Sequence, residues 1–257
     1  MDVLSAIILA VVEGLTEFLP VSSTGHTILA AAVLGIAETE FVKSFEIALE
    51  FGSILAVVAS YWRSFLNYEV LKRLVVAFIP TGVIGLALYR VFKDILLGNA
   101  QIVLWALLLG GVFLILFELS YHEKALTYDL PRIPYRHCLL IGLFQSVSII
   151  PGVSRSAPTI MGGLALGMKR ETTVLFSFLL AVPTMIAASG FDLIMSAGEF
   201  STNQFGVLFI GFVASFLVAL VAIRLFLNYV KKHNFIPFGV YRILLVALFY
   251  FLVIKGI

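Results

Sequence analysis

Pro20 and Pro151 each split a stretch of apolar residues into halves too short to cross a bilayer, in a chain whose other apolar runs are long enough. A transmembrane helix needs about 20 apolar residues, within a range of roughly 17 to 25. Five or six stretches approach that length: 44–61, 74–90, 100–119, 172–194, 204–229 and 238–255. Residues 2–18 and 21–36 are instead short halves meeting at Pro20, and 137–149 and 153–167 meet at Pro151-Gly152. At about 1.5 Å rise per residue, such halves reach the midplane but barely cross it. Proline ends a helix, and a polar turn cannot face lipid. Each region is therefore expected to form a re-entrant helix–loop–helix whose tip is enclosed by protein or faces water. The fold class predicted is an all-α polytopic membrane protein.

Composition agrees. Only 12% of the residues are charged and 61% are hydrophobic, whereas soluble domains run at roughly a quarter charged. A net charge of +2 gives no reason to expect a nucleic-acid partner. Cys138 is the single cysteine, which excludes an internal disulfide and leaves no sign of a thiolate metal site. Met1-Asp2-Val3 lacks the basic region of a cleaved signal peptide, so the first apolar segment is expected to be retained.

The two tips resemble each other. Gly14-Leu15 precedes Pro20-Val21-Ser22-Ser23-Thr24, and Gly142-Leu143 precedes Pro151-Gly152-Val153-Ser154-Arg155-Ser156. Each tip is followed by three full spans, so residues 1–257 read as a single integral membrane domain built from two repeats, about 1–120 and 136–257. With 62–73 placed in the cytoplasm, that side collects Arg63, Lys72, Arg73, Lys124, Arg132, Arg136, Lys169, Arg170, Arg224, Lys231, Lys232 and Arg242. The other side holds Lys43, Arg90, Lys93 and Lys255, and twelve against four sets the orientation. Three spans per half put the hairpins on opposite sides. This is an inverted-topology repeat, an architecture that places its site where two broken helices meet near the midplane.

Several polar residues fall at those breaks. Glu13 and Glu17 share one helix face by their i, i+4 spacing. A charge at the bilayer centre costs on the order of 2.5–3.5 kcal/mol, and two carboxylates together repel unless a cation or a proton lies between them. Either they are shallow and wet, or they form a divalent-metal pair or an acid/base pair. The loop Ser22-Ser23-Thr24-Gly25-His26 offers three hydroxyls, a glycine and an imidazole. At least one hydroxyl is expected to cap the following helix, whose free N–H groups suit phosphate. His26 could transfer protons or attack phosphorus, or be a hydrogen-bonded core residue. Arg155 opens a second helix within Gly152-Val153-Ser154-Arg155-Ser156; it could bridge to Glu13 or Glu17, or fork onto phosphate oxygens. Two helix starts, one arginine and the hydroxyls of Ser22, Thr24, Ser154 and Ser156, with Gly25 and Gly152, describe an anion site, and the anion expected is phosphate. Glu46 is expected near the outer interface and Glu50 at the border of the site. Glu118 and Asp192 fall near span ends, where wet carboxylates are ordinary. Gln145 takes the place in the second repeat that Glu17 has in the first.

Glu13-Gly14-Leu15-Thr16-Glu17-Phe18-Leu19-Pro20-Val21-Ser22-Ser23-Thr24-Gly25-His26 and Pro151-Gly152-Val153-Ser154-Arg155-Ser156 resemble the two signature motifs of the bacitracin-resistance type of undecaprenyl-diphosphate phosphatase. The resemblance extends over essentially the whole chain, including 51–56 and 176–183. It implies hydrolysis of undecaprenyl diphosphate to the monophosphate, recycling the lipid carrier of cell-wall synthesis. It further implies a divalent cation (Mg²⁺ or Ca²⁺), a site open to the outer side of the bacterial cytoplasmic membrane, and a homodimer. The family's functional residues fall on Glu13, Glu17, Ser22, Ser23, His26 and Arg155. Two departures are visible: Ala157-Pro158 where the family usually has Gly-Ala, and Glu50 where Gln is expected.

On this reading Glu13 and Glu17 hold the cation, Arg155 and the helix starts bind the terminal phosphate, and Ser23, His26 or a water attacks. The polyprenyl tail would lie along the groove between hairpins and spans. The rival class is a polyprenyl-phosphate flippase or transporter, which an inverted repeat equally suits. A translocator needs the anion site but not a carboxylate pair beside serine and histidine. A purely structural membrane subunit leaves the cost of burying Glu13, Glu17, His26 and Arg155 unexplained.

Overall fold

In a computed structural model of the chain, the structure describes residues 1–89, 96, 99–122, 128–196 and 202–254, with backbone only at 191–196, 202 and 203. Ten α-helices lie among them. The first hairpin is α1 (Val3–Thr16) and α2 (Ser23–Val33); α3 (Glu40–Leu66), α4 (Tyr68–Ala87) and α5 (Ala100–Ser120) follow. The second hairpin is α6 (Tyr135–Ser146) and α7 (Ser156–Ala165), joined through a 3₁₀ turn at Val147–Ile149. Then come α8 (Arg170–Ser196), α9 (Thr202–Val230) and α10 (Ile236–Phe249), the last continuing as a π-helical turn, Tyr250–Ile254. The helix breaks therefore fall at the two predicted tips.

Five runs among the described residues are long and apolar enough to cross a membrane: Tyr68–Ala87, Ala100–Ser120, Arg170–Gly190, Gln204–Val230 and Ile236–Ile254. Helix α3 has the length but is not among them. It is kinked at Tyr61 and carries Lys43, Glu46 and Glu50 before the kink. Single asparagines set two of the boundaries: Asn67 Oδ1 accepts from the amides of Glu69 and Val70 to start α4, and Asn99 Oδ1 accepts from Gln101 and Ile102 to start α5.

The packing of the two hairpins corresponds. Helix α1 lies along α9 and α6 lies along α4, while α3 crosses α8 and α5 packs on α10. Glycines allow the first two approaches. A methyl group on Gly14 would lie 2.8 Å from the Ser215 carbonyl oxygen of α9, and one on Gly142 would overlap the Ala77 carbonyl of α4. Gly14 and Gly142 thus occupy matching contacts, which aligns Glu17 with Gln145. At the tips the matching residues are Ser22 and Ser154, non-glycine residues with φ of +69° and +78°. The prolines align less well, because the second tip carries the extra 3₁₀ turn. The main apolar core runs between the hairpins and α3, α4, α8 and α9, with Phe18 set edge-on to Phe178 at 5.1 Å between ring centroids.

Two sequence expectations are corrected. Glu118 is not a wet span-end carboxylate: it is buried, ion-paired with Arg170 and accepts from the Phe235 amide. Arg242, counted with the cytoplasmic loops, is a fully buried residue within α10. Counting every basic residue as a loop charge misplaced it, although the charge asymmetry keeps its sign without it. Arg90, Lys93, Lys124 and Lys255 lie outside the described residues, as does the side chain of Asp192.

Candidate active site

The first tip is built by three local features. Helix α1 ends where the Thr16 hydroxyl turns back onto the Val12 carbonyl at 2.7 Å. A tight turn follows, with the Val21 amide on the Leu19 carbonyl at 2.8 Å. Ser22 then enters the left-handed region, a strained choice for a residue with a Cβ, and its Oγ caps α2 by accepting from the Gly25 amide at 3.4 Å. At the second tip Gly152 (φ +91°) and Ser154 (φ +78°) reverse the chain before α7 begins. A side chain on Gly152 would meet the Val103 carbonyl, and one on Gly25 would meet Leu107, so α5 runs beneath both tips.

The tips touch directly. Ser156 Oγ donates to the Leu19 carbonyl at 2.9 Å, and Ser154 Oγ lies 3.0 Å from Ser156 Oγ. Arg155 Nη2 donates to Glu17 Oε1 at 3.0 Å, while Nη1 donates to the Ser177 carbonyl of α8 at 2.8 Å. Its guanidinium lies over the Phe18 ring at 5.7 Å, and its buried Nε has no partner. The other oxygen of Glu17 accepts from Ser23 Oγ at 2.6 Å. Ser23, Glu17 and Arg155 therefore form one connected chain of hydroxyl, carboxylate and guanidinium.

Glu13 lies one helical turn before Glu17, 4% exposed, with Oε1 buried and unpartnered. Glu17 is 7% exposed, so the pair is enclosed by protein rather than wet. Glu50 of α3 accepts from Ser189 Oγ at 2.6 Å and is close enough to feel the charges of Glu17 and Arg155. Glu13, Glu17 and Glu50 thus lie within reach of one another's charge, with the one guanidinium of Arg155 paired to Glu17. That imbalance, and the unpartnered Glu13 oxygen, suit a hard cation. Among the described residues no group of three or more Asp, Glu, His or Cys is arranged to hold a metal. A cation at Glu13 and Glu17 would therefore complete its shell with substrate oxygens and water, as Mg²⁺ commonly does.

The remaining expected residues are less tightly gathered. His26 is 7% exposed, but its partners are the Ser22 carbonyl at Nδ1 and the Tyr241 hydroxyl at Nε2, each at 2.7 Å. No hydrogen bond joins it to Ser23, Glu17 or Arg155. The Thr24 side chain is exposed, and its carbonyl accepts from Thr27 Oγ1. Gln145, matching Glu17 in the second hairpin, is fully buried and saturated: its amide donates to Thr81 and Thr184 hydroxyls at 3.0 Å and accepts from Thr159 at 3.3 Å. The second hairpin thus holds a neutral, closed network where the first carries the Glu17 carboxylate.

Arg242 is the residue that sequence reasoning missed. Its guanidinium donates to the carbonyls of Gly152, Val153 and Ala106 at 2.9 Å, and its Nε to Leu107 at 3.2 Å. It pins the second tip to α5 with backbone partners alone. An arginine inside the apolar run 238–255 was the available signal.

Fold and centre together define a class: a helical membrane protein with a serine–carboxylate–arginine centre between two interrupted helices. The chain belongs to the bacitracin resistance protein BacA family, whose model matches residues 6–248. It is 50% identical over 242 residues to the undecaprenyl-diphosphatase of Aquifex aeolicus, covering 93% of this chain and 94% of that protein. It is 49% identical to the undecaprenyl-diphosphatase of Sulfurihydrogenibium sp., covering 97% and 99%. A third relative of the same name, from Campylobacter jejuni, is 45% identical over 100% of this chain and 97% of that protein.

Proposed function

We propose that the protein hydrolyses undecaprenyl diphosphate to undecaprenyl phosphate and inorganic phosphate, returning the lipid carrier to cell-wall synthesis. The observation that carries the reading is the Ser23 hydroxyl held 2.6 Å from a Glu17 carboxylate that also meets Arg155. The terminal phosphate docks on Arg155 and on the amides that open α2 and α7, where helix starts favour anions. Ser23 Oγ attacks the terminal phosphorus and passes its proton to Glu17. The bond to the bridging oxygen breaks and undecaprenyl phosphate leaves. Water then attacks the phosphoserine, giving its proton to His26 Nε2, while Ser23 Oγ recovers its proton from Glu17 as inorganic phosphate departs. A divalent cation (Mg²⁺ or Ca²⁺) held at Glu13 and Glu17 would supply neutralisation of the diphosphate charge.

The architecture belongs to the same reading. The matching glycine contacts of Gly14 and Gly142, the matching backbone of Ser22 and Ser154, and the corresponding hairpin packing support two inverted repeats, about 1–120 and 136–257, within one domain. Both hairpins are then re-entrant from opposite sides, the centre opens to the outer side of the cytoplasmic membrane, and the working unit is a homodimer. The test is phosphate release from undecaprenyl diphosphate by purified protein, with and without a chelator. Release that stops with chelator and returns with Mg²⁺ or Ca²⁺ is expected; substrate bound and moved across vesicles without release would favour the flippase.

A further inference from the structure

We propose that Tyr241 is a positioning residue for His26, completing with the Ser22 carbonyl a two-point hold on an imidazole whose Nδ1 is protonated and whose Nε2 is the proton-accepting nitrogen. The inference rests on the hydrolytic role given above to His26, and it begins at Ser22. There the left-handed backbone leaves the Ser22 carbonyl 2.7 Å from His26 Nδ1. A carbonyl only accepts, so Nδ1 carries the hydrogen, and in the neutral ring Nε2 must accept. The partner that Nε2 finds is the Tyr241 hydroxyl at 2.7 Å, which therefore donates. The two rings lie nearly parallel, 8° apart with centroids separated by 5.5 Å, so the contact holds the plane of the imidazole as well as its tautomer.

The second half of the argument concerns where Tyr241 sits. It is on α10, and the next residue, Arg242, holds the carbonyls of Gly152 and Val153 at the second tip. Successive helix residues point about 100° apart, since a turn takes 3.6 residues. One helix can therefore reach the two hairpins through neighbouring side chains: His26 through Tyr241, the tip before Arg155 through Arg242. For Nε2 to take the proton of the attacking water the Tyr241 hydroxyl must turn aside, and the parallel ring contact is what can keep the imidazole in place meanwhile. Remove the hydroxyl and Nδ1 keeps its bond to the Ser22 carbonyl, but Nε2 loses its donor and the imidazole its second anchor.

The experiment uses the full chain in detergent, labelled with ¹⁵N-histidine, with the His26 signals assigned by their loss in His26→Gln. In the unaltered protein His26 is expected to show one protonated nitrogen at Nδ1 and one acceptor at Nε2. Tyr241→Phe should shift the Nε2 signal while Nδ1 stays protonated on the Ser22 carbonyl, and lower kcat about tenfold with KM held within about twofold. Unchanged His26 signals with unchanged kcat would overturn the proposal. So would a loss of kcat and thermal stability together with unchanged signals, because Tyr241 would then be a packing residue. A fluorinated tyrosine at 241 covers the case where Phe does not fold: it keeps ring and hydroxyl but donates more strongly, and must shift the Nε2 signal. The nitrogen signals report on positioning even if no phosphate is released, so failure of the hydrolytic reading is told apart from failure of this one.

Discussion

Breaking the Arg155–Glu17 pair should destabilise the protein asymmetrically, Arg155→Met costing more than Glu17→Gln. The pair is enclosed, with side chains 10% and 5% exposed, so it falls outside the range of surface ion pairs worth little. Removing one partner of a buried pair typically costs about 3–5 kcal/mol, because the other charge is left uncompensated. Without Arg155, Glu17 keeps only the Ser23 hydroxyl and faces Glu13 and Glu50 with no cation among them. Without the Glu17 charge, Arg155 keeps the Ser177 carbonyl and still feels the charge of Glu50. The arginine variant should therefore sit at the upper end of that range and the glutamine variant about 1–2 kcal/mol lower, with the double variant recovering about 1–3 kcal/mol of the summed loss. The assay is reversible unfolding in mixed micelles, run as a double-mutant cycle without divalent cation. Additive losses within about 0.5 kcal/mol, or a glutamine variant worse than the methionine one, would refute the charge argument.

Three further outcomes follow from packing and topology. Gly142→Ala should destabilise by about 1–3 kcal/mol because its methyl meets the Ala77 carbonyl, whereas Gly85→Ala, with open space around it, should be neutral or stabilising by up to about 1 kcal/mol; unfolding midpoints compare the two. Arg242→Lys should lose several kcal/mol, since one ammonium cannot satisfy four carbonyls, each costing about 1–3 kcal/mol when left unbonded; a variant of unchanged stability would contradict the pinning of the second tip. A cysteine placed at Glu38 or Thr39 should react with an impermeant reagent from the outer side only, and the native Cys138 is buried and should stay silent; reaction from the cytoplasmic side alone would reverse the orientation.

Much of this architecture is legible in the residues because lipid leaves few choices. Pro20 and Pro151 interrupt apolar runs, and a chain in a membrane can interrupt a helix only where protein or water receives the free backbone groups. The alignment of Glu17 with Gln145 was readable for the same reason, through the Gly-Leu pairs that precede each tip. The strained Ser22 and Ser154 were not, since serine carries no local sign of a positive φ. Nor was the Glu118–Arg170 pair, whose carboxylate looked wet because depth along a helix says nothing about which neighbour covers it. The largest gap was on α10. His26 and Tyr241 are 215 positions apart, and the packing of both α10 and α2 on α5 brings their rings together. The candidate centre was legible as a set of residue types; which hydroxyl meets which carboxylate needed coordinates.

The most direct measurement is single-turnover hydrolysis of undecaprenyl diphosphate by Ser23→Ala, with substrate binding measured on the same sample. Among the described residues the Ser23 hydroxyl is the one hydroxyl bonded to Glu17 beside Arg155, so on the proposed reading binding should persist while phosphate release falls by about a thousandfold or more, as when a covalent nucleophile is removed. Release at a near-normal rate from a well-bound complex would contradict the account and move the reacting group away from this contact.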